Sequence, residues 1–286
     1  VPSEKRTRKR QNAQARAAAE RAAQQRARQR RRLFRLAPFA IVIAVVLAIL
    51  IHGSSGKGKK ASSTGSTTST TASGGPPRAA AVPAGAKITG ATPCPAADGS
   101  SPRTTTFAKA PPMCIDPAKS YSAVFDTTEG KITVALDTKR TPATVNNFVV
   151  LARYHYYDKT SFDRIDTSID IIQGGSPNTQ SIDDPGPGYT IADEGGKFTY
   201  QPGDLVMARS SGPNSGAAQY FFVVGPKASA LNDQGTYVTF GHVTSGMDVL
   251  TRVEGLYQAC PSSDQTCLGG APSRVVLVNT VTITQS

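Results

Sequence analysis

The sequence has no tryptophan, three histidines and four cysteines, and these shortages narrow the chemistry at once. None of Cys94, Cys114, Cys260 and Cys267 has the Cys-x-x-Cys spacing of a redox or zinc site, and His52, His155 and His242 lie apart from them. No metal centre and no cofactor is therefore expected. There is no internal repeat. Acidic residues are scarce at one end: residues 1–35 hold two Glu against 13 Lys and Arg, so +11 of the net charge of +12 sits there. A domain that reads nucleic acid carries basic charge on its folded face. Here that part is nearly neutral, and no nucleic-acid role is expected.

Long apolar runs are absent except for one, LAPFAIVIAVVLAILI at residues 36–51, with no charge between Arg35 and Lys57. A bilayer span takes about 17–25 residues, so residues 36–52 are expected to form a single transmembrane helix. A cleaved signal peptide competes less well, because its basic leader is usually short. A buried core helix fares worse, flanked as this run is by charge and low-complexity sequence. Lys and Arg are concentrated before the span, which puts the N-terminus in the cytoplasm and the rest outside, anchored in the cell membrane. The tail 1–35, rich in Ala, Arg and Gln, is expected to be helical and to lie near anionic lipid.

Residues 53–83 are nearly all Ser, Thr, Gly, Ala and Pro with a few basic residues, the composition of a flexible linker. Residues 84–120 read as an ordered extension stapled by a disulfide, and 121–286 as the domain proper. All four cysteines follow the apolar run, and an even number outside the cytoplasm suggests structural disulfides. Proximity favours Cys94–Cys114 and Cys260–Cys267; two other pairings, or free buried thiols, stay open. The alternating segments Tyr121–Asp126 and Lys131–Leu136 predict a hairpin. Thr141-Pro142 predicts an N-cap with proline at the first helical position, and Val145, Phe148, Val149 and Ala152 predict a helix over 142 to about 154. Short strands are expected at 171–173, 205–208, 219–224, 239–243 and 275–283, with a helix at 247–253. Many short strands with Gly and Pro turns suggest a mainly β, closed barrel.

Four fragments carry the functional reading. They are Phe162-Asp163-Arg164-Ile165, Ile172-Gln173-Gly174-Gly175, Met207-Ala208-Arg209 leading to Gln219-Tyr220-Phe221-Phe222, and Phe240-Gly241-His242-Val243. In this order and spacing, from Tyr121 to Ile283, the chain resembles the cyclophilin family of peptidyl-prolyl cis/trans isomerases. The resemblance implies a closed eight-stranded antiparallel β-barrel with a helix over each open end. It implies that Arg164 is catalytic and that Gln173 binds the substrate backbone and orients Arg164. Phe221 would floor the proline pocket, with Ile171 in place of a pocket methionine and Leu231 as the pocket leucine. Ala208 would lie beside the substrate backbone, Tyr237 would replace the family's histidine, and Phe162 would join the substrate-binding set. Ordinary surface pairing of Arg164 with Asp163 or Asp166, and core packing of Ile171 and Leu231, are the competing readings.

Rotation about a peptide bond breaks amide resonance against a barrier of about 18–20 kcal/mol. X-Pro bonds populate both isomers and exchange slowly enough to limit folding. A catalyst needs an apolar grip on the ring and a group that favours the twisted amide over the planar forms. As the bond twists, the proline nitrogen becomes pyramidal and can accept a hydrogen bond, which a fixed guanidinium supplies. The expected partners are proline-containing polypeptides, and the expected state is a monomer. The chain departs from the family pattern in several places. The family's rim aromatic falls at Ile169 or Asp170, its tryptophan aligns near Ala230, and Arg209 replaces an asparagine. The missing tryptophan weighs against tight cyclosporin binding. The run Asp183-Asp184-Pro185-Gly186-Pro187-Gly188 suggests no role. The alternative functions are a catalytically weak module that holds proline-containing segments, and an Arg-rich tail that is itself the functional element.

Overall fold

The computed structural model describes residues 75–261 and 267–286. The basic tail, the 36–52 span and most of the 53–83 linker lie outside the described residues. Among the described residues no helix is long and apolar enough to cross a membrane. Two short strands, β1 (Ala86–Ile88) and β2 (Thr104–Phe107), pair in parallel. The domain follows with β3 (Tyr121–Thr127), β4 (Gly130–Leu136), helix α1 (Pro142–Arg153), β5 (Thr160–Asp166), β6 (Ile171–Gly174), β7 (Asp204–Arg209) and β8 (Gly216–Val223). A 3-10 turn at Pro226–Leu231 leads to β9 (Thr239–Ser245) and helix α2 (Met247–Glu254). The chain then runs through β10 (Tyr257–Ala259), β11 (Gly270–Pro272) and β12 (Leu277–Gln285).

In space the strands run β5-β12-β3-β4-β9-β7-β8-β6, and β6 pairs back with β5 to close an eight-stranded antiparallel barrel. Closure removes free strand edges. Alternation does the sorting: along β3 every second residue is buried, and its register sets Ala123 opposite Val134 and Phe125 opposite Ile132. Within the interior the aromatic rings cluster. Phe125 meets Phe222 with ring centres 5.2 Å apart, Phe148 meets Phe240 at 5.2 Å, and Tyr157 meets Tyr220 at 5.6 Å. Tyr220 and Phe222 point inward, so Phe221 between them must face outward.

Helix α1 packs against β8, β9 and β12, and α2 against β4 and β6. The sequence offered Thr141 as the N-cap of α1, but its hydroxyl instead donates to the Asp137 carbonyl. The free N–H groups of Ala143 and Thr144 donate to the carboxylate of Glu194, fifty residues on. A carboxylate also suits the positive end of the helix. The segment 84–120 covers α1: Asn146 accepts from the backbone of Cys114 and donates to the Pro112 carbonyl, and Tyr154 donates to the Pro93 carbonyl. Cys94 and Cys114 are bonded across this segment, and Cys260 and Cys267 close a second loop.

No strand was expected at 160–166, and the reason is visible in β5. Phe162 lies opposite Gly174 while Arg164 lies opposite Gln173, so Asp163 is an extra, bulged residue. The bulge breaks the alternation: Phe162 and Ile165, three apart, both face the core. Asp163 is left with both carboxylate oxygens buried, with no ideal hydrogen bond and only the equally buried Ser176 hydroxyl nearby as a donor. Burial pushes its pKa up to about 7; the neighbouring Asp184 adds to this, while the nearby Ser176 hydroxyl and Arg164 offset only part. Tyr220, also raised by burial and by Asp163, stays neutral beside it.

An unfolded Asp163 titrates near 3.8, so between about pH 4 and 7 the folded chain keeps a proton that the unfolded chain releases. Stability falls as pH rises through that window. At about 1.4 kcal/mol per pKa unit the loss is at most about 4 kcal/mol. Urea unfolding of Asp163→Asn and the wild type is expected to diverge in the variant's favour from pH 4 to pH 8; a constant gap would contradict the unpaired carboxylate. Removing the anchor of α1 by Glu194→Ala is expected to cost about 1 kcal/mol in the same assay, whereas Thr141→Ala would cost more if the side-chain cap were real.

Candidate active site

The bulge at Asp163 sends Arg164 to the outer face of the barrel, and alternation sends Ile171 and Gln173 of β6 and Gln219 and Phe221 of β8 to the same face. Register finishes the arrangement, because Gln173 is paired with both Arg164 and Phe221. The strands must approach closely here. A Cβ on Gly174 would lie 2.9 Å from the Ser161 carbonyl, and one on Gly175, at φ +99°, 3.0 Å from that of Ala218.

Seven of the eight expected substrate and catalytic residues line one cavity of about 590 Å³: Arg164, Ile171, Gln173, Ala208, Phe221, Leu231 and Tyr237. Phe162 does not reach it. Its ring is buried inside the barrel, edge-on to Phe222 at 6.1 Å, because the bulge places it on the opposite face from Arg164. Ile169 lines the cavity, whereas Asp170, at φ +49°, turns its carboxylate to the backbone N–H and ammonium of Lys227. That settles which of the two occupies the rim.

The cavity has a polar end and an apolar end. At the polar end each nitrogen of the Arg164 guanidinium has a partner. Nη1 donates to Gln173 Oε1 at 2.9 Å, Nη2 to Asp166 Oδ2 at 2.7 Å, and Nε to the Leu268 carbonyl at 3.2 Å. Burial tends to raise the pKa of Asp166, but bonds from Ser168 and the Arg164 charge outweigh it and hold it below the usual carboxylate value. Gln173 in turn donates to Gln219 Oε1 at 2.8 Å, and Gln219 donates to the Ile182 carbonyl at 3.2 Å. Arg164 is thus paired with Asp166, as the surface-pairing reading expects, and it also lines the cavity beside Gln173.

At the apolar end Phe221 meets Tyr237 edge-on at 5.8 Å, with Ile171 and Leu231 beside them. Tyr237 is fixed from behind. Its backbone N–H donates to the Tyr200 hydroxyl, which donates to the Tyr237 carbonyl; burial pushes the Tyr200 pKa up to about 12, so the hydroxyl stays a donor. The guanidinium of Arg209 lies 4.7 Å over the Tyr237 ring and is paired with Asp193 at 2.8 Å. Such stacking stabilises an aromatic wall.

Sequence reasoning missed Gln219, Leu268, the stacking role of Arg209 and the loop at Ile182–Gly186, all of which line the cavity. Gln219 could have been found, since it lies two residues before Phe221 on the same strand face. The others are brought in by distant loops. The arrangement suits one operation: gripping a small apolar ring against Phe221 while a fixed cation offers hydrogen bonds beside it. It contains no nucleophile paired with a base, and among the described residues no cluster of His, Cys, Asp and Glu could hold a metal ion.

Comparison with known proteins places the sequence in a family. Residues 123–279 match the family model described as cyclophilin type peptidyl-prolyl cis-trans isomerase/CLD. The chain is 33% identical over 138 residues to peptidyl-prolyl cis-trans isomerase cyp18 of Streptomyces antibioticus, covering 46% of this chain and 81% of that protein. It is 38% identical over 120 residues to peptidyl-prolyl cis-trans isomerase B of Bacillus subtilis, covering 41% and 79%. It is 30% identical to peptidyl-prolyl cis-trans isomerase B of Escherichia coli, covering 56% and 98%. A solved cyclophilin-type isomerase of Cryptosporidium parvum aligns over 58% of this chain and 99% of its own at 26% identity, with a TM-score of 0.48. With residues 123–279 matched, more than half of its length and including the Arg164–Gln173–Phe221 cavity, the chain belongs to the cyclophilin-type peptidyl-prolyl cis-trans isomerases.

Proposed function

We propose that this cyclophilin-type isomerase accelerates X-Pro isomerisation in proteins folding outside the cytoplasm, held to the cell membrane by the 36–52 span. The observation that carries the catalytic part is the guanidinium of Arg164, fixed by Gln173 and Asp166 at the mouth of the Phe221 cavity. The proline ring rests on Phe221 between Ile171, Leu231 and Tyr237. Backbone groups of the substrate meet Gln173 and pass beside Ala208. As the imide twists, its nitrogen gains a lone pair that Arg164 meets with a hydrogen bond the planar forms do not make. Preference for the twisted state over both planar states is the whole of the catalysis, and no cofactor enters it.

Two observations support the extracytoplasmic placement. One is the basic-then-apolar pattern of residues 1–52; the other is the presence of both disulfides, which persist in oxidising compartments. The basic tail is read as lying on anionic lipid on the cytoplasmic side, and the barrel acts as a monomer. The reading as a module without turnover loses much of its motive, because Asp170 is turned away from the cavity toward Lys227 and Tyr237 is built into the wall.

In an exchange assay on an Ala-Pro-Phe peptide, Arg164→Ala in the full chain is expected to lower kcat/KM by about 10²–10³-fold, the usual loss for one preorganised donor. Arg164→Lys is expected to recover little, since an ammonium lacks the planar fork that Gln173 and Asp166 hold. Equal rates for wild type and Arg164→Ala, both near the uncatalysed value, would leave only the binding module. Protease added to intact cells is expected to release the barrel domain; a protected domain would contradict the topology.

A further inference from the structure

Outside the barrel proper, β10 and β11 form a hairpin whose ends are joined by the Cys260–Cys267 disulfide. It docks on β5 through the pairing of Gly270 with Ile165, next to Arg164. One glycine makes the docking tight: Gly269, at φ +78°, lies where a Cβ would be 3.2 Å from the Ile165 carbonyl, while a Cβ on Gly270 would meet the Tyr257 ring within the hairpin itself. The Tyr257 hydroxyl and the Cys260 N–H both donate to the Gly269 carbonyl. The residue following the disulfide is Leu268. It is 55% exposed, more than any other large apolar side chain among the described residues, yet it lines the cavity. Its carbonyl accepts the Nε–H of Arg164. The other two anchors of the guanidinium come from the barrel strands β5 and β6.

We propose that this disulfide-closed hairpin is a specificity wall of the site, in which Leu268 plays two parts. Its side chain covers an apolar substrate residue flanking the proline, and its carbonyl is a positioning group for Arg164. The inference rests on the isomerase reading. An exposed leucine at a cavity rim loses its water only when something apolar lies on it, so the wall favours substrates with an apolar neighbour to the proline. A partly covered leucine corresponds to roughly a fivefold preference. Fixing the third guanidinium nitrogen restricts rotation of the fork, which acts on turnover rather than on binding.

The test compares the full-length wild type, Leu268→Ser, Leu268→Met and the Cys260→Ser/Cys267→Ser double variant on matched proline peptides. The peptides carry either Leu or Gly before the proline, and either Leu or Gly after it. The wild type is expected to favour Leu over Gly about fivefold at one of the two positions. Leu268→Ser is expected to reduce that preference below about twofold, through KM, and Leu268→Met to restore it. The double variant is expected to lower kcat about tenfold on all peptides with KM little changed. Preference surviving in Leu268→Ser, or a Leu268→Ser loss equal on every peptide, would overturn the wall. Wild-type kcat in the double variant would overturn the positioning. A wild type with no rate above the uncatalysed exchange would remove the isomerase reading itself, and the wall with it.

Discussion

One inserted residue organises the site. With strict alternation along β5, Phe162 and Arg164 would share a face, and either a guanidinium would enter an aromatic core or a phenylalanine would stand in water. The bulge at Asp163 separates them, so Phe162 packs on Phe222 while Arg164 reaches the outer face beside Gln173. The structure bears a cost at that point, since Asp163 is left with a buried, unpartnered carboxylate. A buried carboxyl with so little support is among the less favourable features a fold can keep, and here it stands next to Arg164.

The rest of the barrel is arranged so that the face around Arg164 stays rigid. Tyr220 and Phe222 fill the interior, which fixes Phe221 outward without any contact of its own to do so. The chain of side-chain bonds from the Leu268 carbonyl through Arg164, Gln173 and Gln219 to the Ile182 carbonyl ties together the hairpin, three barrel elements and the 182–186 loop. At the other end Tyr200 and Arg209 hold Tyr237 from two sides. The site is thus preorganised on strands, and little of its geometry has to be created when a peptide arrives.

Much of this was legible because local pattern and function coincide. Arg164, Gln173 and Phe221 stand in short motifs whose strands carry them to one face, and the hairpin of β3 and β4 follows from alternation alone. Reading failed where a residue's surroundings come from far along the chain or from an irregular backbone. β5 was missed, and Phe162 misassigned, because a bulge disguises the period of two. The cap of α1 was given to Thr141 because proximity suggested it, whereas the carboxylate comes from Glu194. The stack of Arg209 on Tyr237 and the approach of Leu268 depend on loops whose paths no spacing rule supplies. The Asp183–Gly188 run, unassigned from sequence, lines the cavity through its first part, and its second meets the N-terminal extension where Phe107 donates to the Pro187 carbonyl.

Whether the Arg164 guanidinium stands beside a proline seated on Phe221 is decided by a crystal structure of the protein with a bound Ala-Pro peptide. The pyrrolidine ring is expected against Phe221, with a guanidinium nitrogen about 3–4 Å from the imide nitrogen and Gln173 still bonded to Arg164. A ring bound elsewhere, or an Arg164 swung out to solvent while the proline occupies the cavity, would contradict that arrangement.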